Sequence, residues 1–180
     1  MLKGTSVRLR AIEPSDIDLM YQWENDAEVW NVSGTTSPFS KYTIEKYIET
    51  CSRDIYTNKQ LRLAIQLKDE SAKTVGYIDL FDFEPHHQRA GIGILVGDKG
   101  ERRKNYAKES LQLLIKYGFD VLNLHQLYCH IHESNLVSLR LFSNAGFKQT
   151  GILQDWIINN GEWERVFVMQ LFRVDPEEEL

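Results

Sequence analysis

Residues 92–114 read IGILVGDKGERRKNYAKESLQLL. An apolar run, a glycine-bearing turn, three consecutive cations and an amphipathic stretch follow one another without interruption. That order predicts strand, turn and helix, with the cations at the helix's amino end. The first amides of a helix have no partners within it and carry partial positive charge, so this end is a ready anion site. Arg102, Arg103 and Lys104 add formal charge beside those amides. Asn105 is the residue type, after glycine, that best tolerates left-handed backbone, and it can also cap a helix. A bound phosphate is one reading of the cluster. A solvated helix end is the other, because a cation at the unfavourable end of a helix dipole costs only about 0.3–1 kcal/mol.

Outward from this unit the elements alternate. Val7–Ile12 alternates apolar and polar residues as a half-buried strand does, and Ser15 is a candidate N-cap for a helix through Ile17, Met20 and Trp23. The loop SGTTSPFS at 33–40 leads to a second helix near Ile44–Asp54. Leu61–Leu67, Thr74–Phe83 and Arg89–Val96 read as strands. Ala107, Leu111, Leu114, Gly118 and Val121 then form one stripe of a helix, spaced 4, 3, 4 and 3. Leu127–Ile131 is a strand, and Asn135–Asn144 a helix closed by Gly146. The chain finishes in a hairpin, with strands to about Ile158 and from Trp163 to Phe172 around the turn NNG at 159–161. The expected fold is one α/β domain over residues 1–180, with DPEEEL inside a solvated tail at 173–180.

Composition narrows the function. A net charge of −5 over 180 residues argues against a dedicated nucleic-acid binder, which usually shows a basic face. No window approaches the roughly 18 apolar residues of a membrane span, and MLKGTSVRLR lacks the apolar core of a signal peptide. Cys51 and Cys129 have no CxxC spacing, which fits free thiols in a reducing, cytoplasmic setting. His130 and His132 share one side of a strand, and His86 adjoins His87. Neither pair has a third ligand at matching spacing, so no metal is expected.

Two motifs in order carry a family resemblance. The 102–107 stretch RRKNYA puts Arg102, Asn105 and Ala107 on the pyrophosphate-loop positions of the GNAT N-acetyltransferase superfamily. In NLVSLRLFSNAGF, Asn135, Ser138, Phe142, Gly146 and Phe147 match the pattern of its following helix. Element order agrees from Val7 to about Phe172, and HHQRAGIGILV, YGFDVLNLHQLYCHI and NNGEWER resemble the branch of spermidine acetyltransferases and ribosomal-protein alanine N-acetyltransferases. The resemblance implies a mixed, mostly antiparallel sheet of about seven strands flanked by about four helices. It also implies acetyl transfer from acetyl-CoA to an amine by direct attack. The strand amides around Ile94, Leu95 and Val96 would pair with the pantetheine arm, those of Arg102, Arg103, Lys104, Asn105, Tyr106 and Ala107 would hold the pyrophosphate, and Asn135 would bond the pantetheine region.

The reaction needs a base for an ammonium of pKa near 10, donors for an oxyanion, and an acid for the thiolate. Phe142 stands where many relatives have a tyrosine acid, so Ser138 takes that role by resemblance. Gly91 stands where others have a glutamate base, which leaves Glu133 and Asp155 as candidates. For the acceptor, Asp79, Asp82 and Glu84 suggest an acidic channel for a polyamine, although strict alternation does not set all three on one face unless a bulge intervenes. Trp30, before the SGTT loop, is placed near the substrate. A protein N-terminus is the competing acceptor, favoured by Ser138 and Asp155. A catalytically silent acyl-CoA-binding sensor is the alternative outside enzymes. Edge strands and the terminal hairpin permit a homodimer or higher homo-oligomer.

Overall fold

In the computed structural model, which describes residues 2–159 and 161–174, one seven-stranded sheet runs in the order β1-β2-β3-β4-β5-β7-β6. The strands are β1 Val7–Ala11, β2 Leu61–Leu67, β3 Thr74–Glu84, β4 Arg89–Leu95, β5 Gln126–His132, β6 Lys148–Asn159 and β7 Glu162–Phe172. Every neighbouring pair is antiparallel except β4 and β5. Those two are parallel and pair only at Arg89–Gln126, Ala90–Leu127 and Gly91–Tyr128. Beyond Gly91 they part, β4 following β3 to Leu95 while β5 follows β7 to His132. The sheet is therefore split, with a wedge open toward the carboxyl ends of its two central strands.

Alternation in the strands builds a core on each face. Leu63, Ile65 and Leu67 of β2 and Ile78 and Leu80 of β3 pack with Leu111 and Leu114. Ala64 and Tyr77, pointing the other way, meet Met20, Trp23, Ile44 and Ile48. The first group lies under α5 (Tyr106–Asp120), and the second under α1 (Ile17–Glu24) and α3 (Lys41–Cys51). Two further short helices, α2 (Ala27–Ser33) and α4 (Ile55–Asn58), precede β2, and α6 (Leu136–Asn144) follows β5. Among the described residues six α-helices stand where about four were expected. The two unforeseen ones are seven and four residues long, too short to show an apolar period.

Local chemistry corrects some boundaries. Ser15 does not cap α1. A 3-10 turn, Pro14–Asp16, comes first, and buried Asp16 accepts from the Glu13 amide (2.9 Å) and from Arg10 (2.7 Å to each oxygen). The first long helix after the 33–40 loop starts at Lys41, where the Ser40 hydroxyl accepts from the Thr43 amide (3.1 Å). Val121 falls outside the stripe of α5, which ends at Asp120, and is exposed. Register shifts between Phe81 and Glu84, where Asp82 takes φ +47° and accepts from the Tyr128 hydroxyl (3.3 Å). The bulge that an acidic face required is thus present. Gly146 closes α6 at φ +96°, and Gly161 sits in the hairpin turn at φ +86°. Of the expected tail, Arg173 and Val174 are exposed, and 175–180 lie outside the described residues.

Candidate active site

The split is the site's foundation. On β4, Ile94 and Leu95 bond to β3 along one edge only, so the other edge faces the wedge. A cleft of about 510 Å³ opens there. Ile94–Val96 form one wall, the start of α5 with Arg102 and Arg103 another, and Asn135 and Ser138 of the α6 end a third. Asn105, Tyr106 and Ala107 also line it, so nine of the ten predicted cofactor positions meet in this cleft. The tenth, Lys104, turns its ammonium to Glu101 (2.8 Å) and lines no part of it.

The amino end of α5 gathers unpaired amides and cations, the groups an anion needs. Arg103 and Asn105 both take left-handed backbone, φ +66° and +65°, and such residues turn successive amides toward a common point. Asn105 makes no side-chain cap. The first helical bond runs from the Glu109 amide to the Asn105 carbonyl (3.0 Å), so the amides of Tyr106, Ala107 and Lys108 have no acceptor within the helix. Arg102 donates from Nε to the Val96 carbonyl (3.1 Å) and from Nη1 to Glu28 of α2 (3.3 Å). Lys99 also contacts Glu28, at 3.0 Å. Hydrogen bonds from Lys99 and Arg102 hold the Glu28 carboxyl below the usual carboxylate range. Glu28 is the anion that Arg102 holds here. Uncapped amides, the cations Arg102, Arg103 and Lys108, and an open strand edge fit a long ligand bearing phosphates.

Deeper in the wedge, a cavity of about 150 Å³ lies between Gly93 of β4 and Cys129–His132 of β5. Ile94, Asn135 and Ser138 line both spaces and so mark their junction. The Ser138 amide donates to Asn135 Oδ1 (3.1 Å), so Asn135 caps α6 while facing the cleft. Phe142 is buried edge-on against Phe147, ring centroids 5.1 Å apart. At Gly91 a Cβ would come within 2.2 Å of the Phe81 ring, which fills the space beside the strand. Burial lowers the pKa of His132 below the ordinary imidazole value, with nearby Glu164 pulling the other way. Burial also pushes the Cys129 thiol up to about 12.

Other predicted residues are placed elsewhere. Asp155 is exposed in a bulge of β6 at φ +46°, and it lines neither space. Glu133 is engaged by Arg165, whose Nε donates at 2.8 Å. The Trp30 indole donates to the Glu24 carbonyl (2.6 Å). Asp79 accepts from Arg62 (2.5 and 3.2 Å), which also reaches Glu24 (2.8 Å), and in the ladder it faces Gly93 at the wedge. Glu84 pairs in register with Arg89, at the closed end of the split. Sequence reasoning missed Glu28 and Val29 of α2 and Lys108 as cleft residues. Lys108 was findable, one position beyond the motif and in the first turn of α5.

Among the described residues, no group of three or more His, Cys, Asp or Glu could hold a metal ion, and no helix is long and apolar enough to cross a membrane.

Similarity to known proteins agrees with this geometry. A spermidine N(1)-acetyltransferase of Escherichia coli is 25% identical over 96% of this chain and 89% of its own length. That of Vibrio cholerae is 22% identical over 93% and 95%. A solved structure of spermidine N-acetyltransferase from Vibrio cholerae, in complex with CoA and spermine, superposes with a TM-score of 0.84 at 22% identity, covering 94% of this chain and 96% of that one. The family model described as an acetyltransferase (GNAT) domain matches residues 6–148. The chain belongs to the GNAT family of N-acetyltransferases, with acetyl-CoA as its co-substrate.

Proposed function

We propose that the chain acetylates a primary amine of a polyamine, which enters the wedge from the face bearing α1 and α3. The observation behind this reading is the split itself. It joins a cationic, amide-lined cleft to a small cavity beside which carboxylates lie. Asp79 sits one strand from Gly93, and Asp82, turned by its bulge, reaches Tyr128 of β5. Asp82 is exposed and has no ion-pair partner among the described residues, so its charge is available to a polycation. Full-length similarity to spermidine N(1)-acetyltransferases supports the same acceptor.

In this reading the amides of Ile94–Val96 pair with the pantetheine arm, and the amides of 102–107 with Arg102 and Arg103 hold the pyrophosphate. Asn135 orients the arm, and Ser138 protonates the departing thiolate from the junction of the two spaces. Holding amine and thioester together supplies much of the rate. Asp155 and Glu133 have no role as base in this arrangement, because neither reaches the wedge. Assembly into a homo-oligomer belongs to the proposal. Ile158 and Trp163 face each other across the terminal hairpin, both about 63% exposed. The related enzyme of Vibrio cholerae is described as dodecameric.

The test is release of free CoA thiol with spermidine, spermine, a diamine, and peptides bearing free alanine or serine N-termini. Turnover with the polyamines, and a lower kcat for Ser138→Ala at unchanged acetyl-CoA affinity, is the expected result. Turnover with the peptides alone would move the acceptor assignment to protein N-termini.

A further inference from the structure

Two imidazoles, His130 and His132, line the wedge cavity, and histidine is the residue type suited to proton transfer. His132 is the last residue of β5 and half-buried, and it shares the cavity with Ser138, Asn135 and Gly93. It points to the face opposite α5, since Leu127, Cys129 and Ile131 fill the core beneath that helix. This is the face from which the proposed acceptor enters. From β7, Glu164 is the charged group nearest to it, and that carboxylate already accepts from the Ser134 amide (2.5 Å) and from Asn159 (2.9 Å). The neighbouring Glu133–Arg165 pair neutralises itself. β4 presents only Ile92, Gly93 and Ile94, and α6 only Asn135, Ser138 and Phe142.

We infer that His132 is the general base that deprotonates the acceptor amine, with His130 and Tyr128 behind it on the same strand face as the route to solvent. The inference rests on the acetyl-transfer reading above. Chemically, the His132 imidazole takes one proton from the ammonium. The freed lone pair forms the C–N bond at the thioester carbonyl, and the C–S electrons leave with sulfur. Ser138 gives its hydroxyl proton to the CoA thiolate and recovers the second amine proton. Products are the amide, CoA thiol and an imidazolium, which returns its proton to water. Tyr128 and His130 rings lie 5.7 Å apart, and Tyr128 bonds to exposed Asp82, so the row leads outward. Burial favours the neutral form of His132, the form a base needs.

His132→Gln and His132→Ala should lower kcat/KM with spermidine by roughly a hundredfold. Thermal stabilisation by acetyl-CoA should be unchanged, which shows that the variants are folded. The wild-type profile should fall as pH drops below the ordinary imidazole pKa, and this limb should vanish in both variants. Added imidazole should partly restore His132→Ala. A variant with wild-type kcat/KM, or one that keeps the acid limb, overturns the assignment while leaving acetyl transfer intact. If the wild-type protein releases no thiol with any amine of the panel, the acetyl-transfer reading falls, and this role falls with it.

Discussion

Arg102 is pulled by two partners, the Val96 carbonyl and the Glu28 carboxylate. A phosphate arriving at the α5 amides meets an arginine that is already engaged by an anion. Replacing Arg102 and Arg103 by alanine should therefore weaken acetyl-CoA binding by roughly 10–100-fold, the worth of one or two charge-assisted bonds, and more at low salt. Glu28→Gln should act the opposite way and tighten binding. Isothermal titration at two salt concentrations reads both, and equal affinities for all three proteins would remove Arg102 from the phosphate site. The loop's backbone was legible in the sequence at Asn105, because its left-handed conformation follows from residue type. The hold of Glu28 was not legible. It depends on α2, whose seven residues carry no period and whose position only the folded chain decides.

Elements were read well where the pattern was long. α5 and the strands β2 to β4 stand close to where periodicity put them, and the sheet's split could be anticipated only from the family motifs. Nothing in AGIGILV or LYCHIH says that their ladder stops after three pairs. The acidic face shows the same limit from the other side. Alternation cannot decide it, since the decisive residue is Asp82, a non-glycine at φ +47°. The terminal hairpin exposes its apolar cross-strand pair at the sheet's edge, where β6 has no outer neighbour. Trp163→Ser with Ile158→Ser should shift the protein to smaller species in sedimentation velocity, with acetyl-CoA affinity per chain unaltered. An unchanged sedimentation coefficient would take the hairpin out of the interface.

For the molecule as a whole, Arg10, Asp16 and Thr74 tie β1, the entry to α1 and β3 together at one end of the sheet. Burial opposes ionisation of Asp16, but bonds from Arg10 and the Glu13 amide outweigh it, and its pKa lies below the usual carboxylate value. A depressed folded pKa means stability that is full above about pH 4, the unfolded value, and lost as pH falls through it toward the folded one. Asp16→Asn should cost roughly 2–4 kcal/mol at pH 7. This is somewhat less than the roughly 3–5 of a wholly buried pair, because Arg10 keeps 23% exposure. The same variant should flatten the acid decline in urea midpoints. A midpoint and acid limb like the wild type's would show that the pair contributes nothing. The two halves of the sheet, β1 to β4 and β5 to β7, share only three ladder pairs, while the core beneath α5 runs under both halves. Beyond Gly91 and Tyr128 the halves are held together by packed side chains and not by a β4–β5 ladder. A ligand lodged in the cleft between Ile94–Val96 and the start of α6 would bridge the two halves of the sheet where no ladder joins them.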